Sequence, residues 1–345
     1  MYTSGLTALD ERSPITMTPV TWDRARLLAI YRSMVAIRLA EESFVPVILD
    51  GTVRCPVHLY SGEEAVATGI CEALRDTDYV MGSHRSHGHF LAKGGSLDAL
   101  VAEVYCREDG CARGRGGSMH LIDVDRGMLG AAPIVAGTIA LAMGAALAST
   151  IRGDRRVTVS FFGDGATGEG VLAEAMNFAA VKRLPMMFAC ENNLYSTHMP
   201  IDEIRVGQPI AELARPYGMR ALTLDGNDVV AVHEAATEQV ARCRNGEGPV
   251  FLELLTYRMR GHVGPNDNIQ GTLTDIRPAG EVDAWRHRDP ITRFERFALA
   301  SRLVTPDDLT ALSTALATEV ADAHRRAAAS PWPPAHDIDR YVFQS

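Results

Sequence analysis

The sequence has no C-x-x-C pair among its six cysteines, Cys55, Cys71, Cys106, Cys111, Cys190 and Cys243. That absence excludes a zinc ribbon and a thioredoxin-type motif by spacing. The thiols read instead as buried or incidental groups in a reducing, cytoplasmic setting. There is no run of Lys or Arg, and the net charge is −9, so no nucleic-acid partner is expected. The opening residues MYTSGLTALDERSPITMTPV lack a basic start followed by an apolar run, so no secretory leader is expected. Charged residues make up 22% and hydrophobic ones 46%, which excludes a disordered chain.

Long uncharged runs are also scarce, with one exception. MLGAAPIVAGTIALAMGAALASTI, at 128–151, has 24 residues and could span a bilayer by length. It is rich in Ala and Gly, carries Pro133, and lacks both an aromatic belt and basic flanks. It therefore reads as a buried helix of a protein with no membrane partner. Ala140, Gly144 and Ala148 recur every fourth residue, a small face that admits another helix closely. The helix 137–148 is thus an expected assembly contact.

The rest of the chain carries a readable pattern. Residues 20–50 have apolar side chains at helical spacing, and 62–74 and 96–106 read as further helices, the last with Ser96 as N-cap. From Val157 the pattern alternates. VTVSFF (157–162), PMMFACE (185–191), MRALTL (219–224) and VFLELLTYR (250–258) read as strands, with helices at 169–182 and 228–244 between them. Such alternation predicts an α/β fold, a parallel sheet covered by helices on both faces. The expectation is one unit over 1–345, with a helical N-terminal region at 20–50 and a helical tail at 289–329.

Ligands of such sheets bind beyond the carboxyl ends of the strands. Three expected strand ends carry unusual polar residues: GDG (163–165), ENNLY (191–195) and RMRGH (258–262). SHRSHGH (83–89) follows the apolar DYVMG. Gly163, Gly165 and Gly168 satisfy G-x-G-x-x-G, and Glu191 stands where a ribose-binding acid belongs, so a dinucleotide turn is one reading. Asp164 opposes it, because a carboxylate repels a pyrophosphate unless a cation lies between them. The other reading is a diphosphate bridged by magnesium, which takes oxygen ligands from one or two carboxylates, phosphates and water. Between Gly165 and Asn192 lie 26 residues, one helix plus one strand, so Asp164 and Asn193 would meet at adjacent strand ends. His84, His87 and His89 have no Cys or acid at ligand spacing, so no zinc site is expected within that segment. ARGRGGS (112–118) has no G-K-[ST] after it and is assigned no chemistry.

At this point a family resemblance enters. HLYSGEEA (58–65), SHRSHGH (83–89), GCARGRGGSMHL (110–121), GDGATGEGVLAEAMNFAA (163–180), CENNLY (190–195) and TYRMRGH (256–262) resemble, in order, a known set of motifs. They are those of the α subunit of the decarboxylating component of 2-oxo-acid dehydrogenase complexes, the pyruvate and acetoin types above all. The resemblance runs from about residue 25 to 330. It implies the thiamine-diphosphate-binding fold, and thiamine diphosphate with Mg2+ as cofactors. It implies that Asp164, the Asn193 side chain and the Tyr195 backbone carbonyl hold the metal. Gly163, Gly165 and Ala166 would approach the diphosphate, with His84 and Arg85 beside it, and Val135 would meet the aminopyrimidine. His262, on a loop closing over the cofactor, and His58 and His87 would act in catalysis. It further implies a separate β subunit in an α2β2 assembly, a lipoyl transacylase as acyl acceptor, and a small 2-oxo acid or acetoin as substrate. An acyloin synthase subunit and a scaffold for a β chain are the alternatives. The sequence departs from pyruvate-type relatives at His84, where they carry Tyr, at Pro133 for Gly, and at Glu169 for Gln. Val263 stands where animal pyruvate enzymes carry a phosphorylatable Ser.

Overall fold

The computed structural model of the chain describes residues 20–207, 209–266, 268–269, 272–273, 275–337 and 339–340. Its first helix, α1 (Arg24–Leu49), starts where the Asp23 side chain accepts the Arg26 N–H at 2.8 Å. It buries Leu27, Ile30, Met34 and Phe44. Next come α2 (Glu64–Cys71), β1 (Tyr79–Gly82), α3 (His87–Ala92) and α4 (Leu97–Val104). Ser96 caps α4 as expected, accepting from Ala99 N. The 62–74 helix is shorter than its apolar pattern, because Ala73 and Leu74 tighten to i−3 hydrogen bonds after Cys71.

The uncharged 128–151 stretch is not one helix. Its first residues form β2 (Met128–Ala131), and the helix α5 starts only at Gly137 and ends at Arg152. Pro133 lies between them, where it supplies no N–H and fixes φ. Nor is α5 buried all round. It hides Ile139, Ala142 and Ala146 but leaves Leu141 60% exposed and Gly144 with nothing within 4 Å of a built Cβ. No helix among the described residues is long and apolar enough to cross a membrane.

The alternation after Val157 appears as read: β3 (Thr158–Gly163), α6 (Gly170–Lys182) and β4 (Met186–Asn192). A small hairpin, β5 (Tyr195–Ser196) and β6 (Met199–Pro200), precedes α7 (Ile201–Ile204). Then follow β7 (Arg220–Asp225), α8 (Val229–Arg244) and β8 (Val250–Leu255). Strand β8 stops three residues before the expected Arg258. Its neighbour β4 ends at Asn192, and after one more bond, Thr256 N to Asn192 O at 3.0 Å, the chain turns off. The helical tail consists of α9 (Ala279–Arg286), α10 (Pro290–Ala300) and α11 (Pro306–Ala329), the last opened by a Thr305–Asp308 capping box.

Six strands form one parallel sheet in the order β2-β1-β3-β4-β8-β7. Val159, Phe161, Met187, Ala189 and Leu252 point into one core layer, and Phe162, Phe188, Cys190 and Phe251 into another. A sheet buried on both faces explains why β3 and β4 read as continuous apolar runs rather than alternating ones.

The Gly-rich loop after α4 is organised by a single side chain. The buried Glu103 carboxylate accepts the backbone N–H groups of Ala112, Gly114, Gly116 and Gly117 at 2.7–2.9 Å. Gly114 and Gly117 sit at φ +69° and +60°, and a Cβ at Gly114 would lie 2.6 Å from the Cys106 backbone. Hydrogen bonds to a charged acceptor contribute more than neutral ones, and stranding buried N–H groups costs their desolvation. Glu103→Gln should therefore lower unfolding stability by about 2–4 kcal/mol in urea titration, whereas an exposed control such as Glu319→Gln should change it by less than about 0.5 kcal/mol.

Candidate active site

Because the sheet is parallel, the carboxyl ends of β1, β3, β4 and β8 open on one side. There they surround a cavity of about 700 Å3, counting its mouth. The end of β3 delivers Gly163 and Asp164, and the adjacent end of β4 delivers Asn192 and Asn193, with Gly163 in register with Glu191. The segment after β1 brings His84 and Arg85, and the segment after β8 brings Arg258 and His262. Val135 and Ala136, at the start of α5, close another wall.

Asp164 is 2% exposed. One carboxylate oxygen accepts from Gly165 N at 2.7 Å, and the other, Oδ2, is buried with no hydrogen-bond partner among the described residues. Burial pushes its pKa up to about 6, against the pull of Arg258 and the backbone N–H groups. A buried oxygen without a partner is costly unless a ligand completes it. The Asn193 amide Nδ2 donates to Glu63 Oε1 at 3.1 Å, which leaves its Oδ1 as the acceptor end of the side chain. A Cβ on Gly165 would stand 2.4 Å from Ser196 Oγ, so only glycine lets the loop lie this close to the β5 hairpin.

Arg85 is nearly buried. Its guanidinium donates to Leu59 O at 2.6 Å and to His262 O at 2.9 Å, tying the segment after β8 to the end of β1. Three imidazoles gather beside it. The His58 ring lies 4.7 Å from the His84 ring and 5.1 Å from the His262 ring, centroid to centroid. Burial, then the positive charge of Arg85, depresses the pKa of all three, His58 to about 2 and His84 to about 3. They are neutral at pH 7.

All ten residues expected at the cofactor, His84, Arg85, Val135, Gly163, Asp164, Gly165, Ala166, Asn193, Tyr195 and His262, line this cavity. His58 stands just behind His84 and His262. His87, expected to act in catalysis, does not line the cavity, which corrects that expectation. It is fully buried, with Nδ1 on Glu41 Oε1 at 2.9 Å and Nε2 on Ser118 Oγ at 2.8 Å, so both ring nitrogens are engaged. Ser118 also receives the His58 backbone N–H at 3.4 Å, so His87 supports the site from below. One acid and one arginine of the cavity, Glu63 and Arg258, went unassigned in the sequence, and Glu191 takes another role than the one considered. Burial and the nearby Glu191 raise the Glu63 pKa to about 8, outweighing Arg85 3.7 Å away. Glu191 accepts from Tyr60 Oη and pairs with His89 at 2.9 Å, a structural network rather than a ribose contact. Arg258 is 1% exposed and holds Thr197 O at 2.8 Å. An acid at the start of the apolar GEEAVATGI segment, just ahead of α2, was the available signal for Glu63.

The depressed histidines make a signed prediction. The unfolded chain binds protons at these rings below about pH 6.5 and the folded chain does not, so their contribution falls with falling pH. Each ring should cost about 1 kcal/mol of stability between pH 7.5 and 5.5. The raised pKa values of Asp164 and Glu63 act with the opposite sign. The stability difference between the parent protein and His84→Tyr, followed by urea titration in chelator-treated buffer, should therefore shift by that amount in favour of the variant at pH 5.5.

Comparison with known proteins agrees with this geometry. The sequence pattern of the dehydrogenase E1 component family matches residues 32–336. The α subunit of acetoin:2,6-dichlorophenolindophenol oxidoreductase from Bacillus subtilis is 40% identical over 79% of this chain and 81% of its own. Its namesake from Cupriavidus necator is 38% identical over 94% of this chain and 96% of its own. The pyruvate dehydrogenase E1 component subunit alpha of Porphyra purpurea is 35% identical over 92% of this chain and 93% of its own. The chain, with its parallel sheet and its acid–amide pair at adjoining strand ends, belongs to the dehydrogenase E1 component family.

Proposed function

We propose that the chain is the α subunit of a thiamine-diphosphate- and Mg2+-dependent 2-oxo-acid or acetoin dehydrogenase. It works with a separate β subunit in an α2β2 assembly and passes its acyl group to a lipoyl transacylase. The observation that carries this reading is the unpartnered Asp164 Oδ2, buried beside Asn193 and a glycine that admits no side chain. A hard dication fits such oxygen donors. The Asp164 carboxylate, the Asn193 amide oxygen and the Tyr195 carbonyl would hold it, and the backbone of Gly163, Gly165 and Ala166 would accommodate the diphosphate. Arg85 and the neutral His84 and His262 supply positive charge and N–H donors on the opposite wall. When bound, thiamine diphosphate supplies the electron sink for cleavage next to the carbonyl.

In this reading His262 and His58 orient the substrate and move its protons; an anionic cofactor beside Arg85 would offset its charge and bring their depressed pKa values back toward the range that proton transfer needs. His87 acts by holding Ser118, and through it the His58 backbone. The apolar side chains Ile134, Val135, Leu141, Ile151 and Val181, each more than half exposed, mark a surface for the partner chain. The six free cysteines are in keeping with a cytoplasmic setting. The whole of 1–345 serves as one cofactor-half unit.

The test uses the chain co-purified with its β subunit. Thiamine diphosphate with Mg2+ should raise the melting temperature by several degrees, and Asp164→Ala should abolish that rise and lower kcat/KM at least 100-fold. Lipoamide-dependent turnover of pyruvate or acetoin should appear only with both subunits. A parent protein with no cofactor-dependent shift, or an Asp164→Ala variant that keeps it, would refute the reading.

A further inference from the structure

The three imidazoles beside Arg85 form a compact cluster of nitrogen donors. One ligand nitrogen each from His58, His84 and His262 lie within 4.8 Å of one another. In a tetrahedral zinc site the nitrogens stand roughly 3.3 Å apart, so a contraction of about 1–1.5 Å by ring rotation would bring them to one ion. His58 Nδ1 is already buried with no hydrogen-bond partner among the described residues, in a ring that is 8% exposed. We propose that His58, His84 and His262 form a three-histidine binding site for a borderline-soft divalent cation of the Zn2+ class.

The chemistry separates this site from the oxygen donors across the cavity. Imidazole nitrogen suits Zn2+, Co2+, Ni2+ and Cu2+, whereas Mg2+ and Ca2+ prefer carboxylate and carbonyl oxygen. The rings are neutral at pH 7, so the ion displaces no proton. Three protein ligands leave a fourth position open, and His84 and His262 both line the cavity, so that position faces it. Arg85 and Arg258 oppose a cation here, and Asp164 and Glu191 around the same cavity offset them in part. The three ligands come from different places: the segment before α2, the segment after β1 and the segment after β8. That distribution is why no spacing rule reveals them, and why the adjacent histidines at 87 and 89 are not members.

The site shares His84 and His262 with the wall assigned to the cofactor, but its test needs neither cofactor nor turnover. Zn2+ alone is titrated into the full-length chain, free of Mg2+ and thiamine diphosphate, by calorimetry and by competition with a chromophoric chelator. Co2+ alone is then used as the spectroscopic probe. The expected result is one Zn2+ per chain and the intense visible bands of four-coordinate Co2+. His84→Tyr, His58→Gln and His262→Gln should each weaken binding at least tenfold. Asp164→Asn, which strips the oxygen-donor site and one distant charge, should weaken it by less than about threefold, and His120→Gln, at an exposed ring, should leave it unchanged. Absence of saturable binding at micromolar Zn2+ would overturn the proposal. So would a His84→Tyr chain that binds as the parent does, or loss of binding in Asp164→Asn.

Discussion

A parallel sheet sends the carboxyl ends of all its strands to one edge, and the site depends on that constraint. Asp164 and Asn193 lie far apart along the chain, yet they become neighbours because β3 and β4 are parallel and in register, Gly163 opposite Glu191. The same geometry brings Arg85 from the end of β1 and His262 from beyond β8 to the same opening. No strand end makes the site alone. The helices pay for this arrangement by burying both faces of the sheet, so that the strand ends hold still.

Burial then sets the electrostatics. The cavity wall contains buried acids, arginines and imidazoles, and each shifts the others. Arg85 and the loss of solvent keep His58, His84 and His262 neutral, while burial raises Asp164 and Glu63. The result is a wall of neutral N–H donors and fixed positive charge facing an acid with an open oxygen. Behind it, the Glu103-organised loop places Ser118, and Ser118 in turn meets His87 and the His58 backbone. A loop with no chemistry of its own thus positions the site from a distance.

The sequence pattern revealed the alternating elements after Val157 because β-branched and aromatic runs bounded by helices have few other solutions. It also paired Asp164 with Asn193, since one helix and one strand of intervening chain define adjacent parallel strands. It failed where the signal was compositional. The 128–151 stretch looks like one apolar helix, but Pro133 and the pairing of Met128–Ala131 with β1 divide it. His87 sits two residues past Arg85 in a polar motif, but the start of α3 turns its ring inward to Glu41 and Ser118.

By itself, then, the sequence determined the α/β class, the adjacency of Asp164 and Asn193 and the family motifs, because these rest on residue type and local spacing. Only the tertiary structure decided which histidines face the cavity and which lie beneath it, and that Glu63 and Arg258 belong to its wall. It alone showed that three rings from separate segments meet. Those facts depend on side-chain direction and on burial by distant elements, and neither is written in the spacing of one segment.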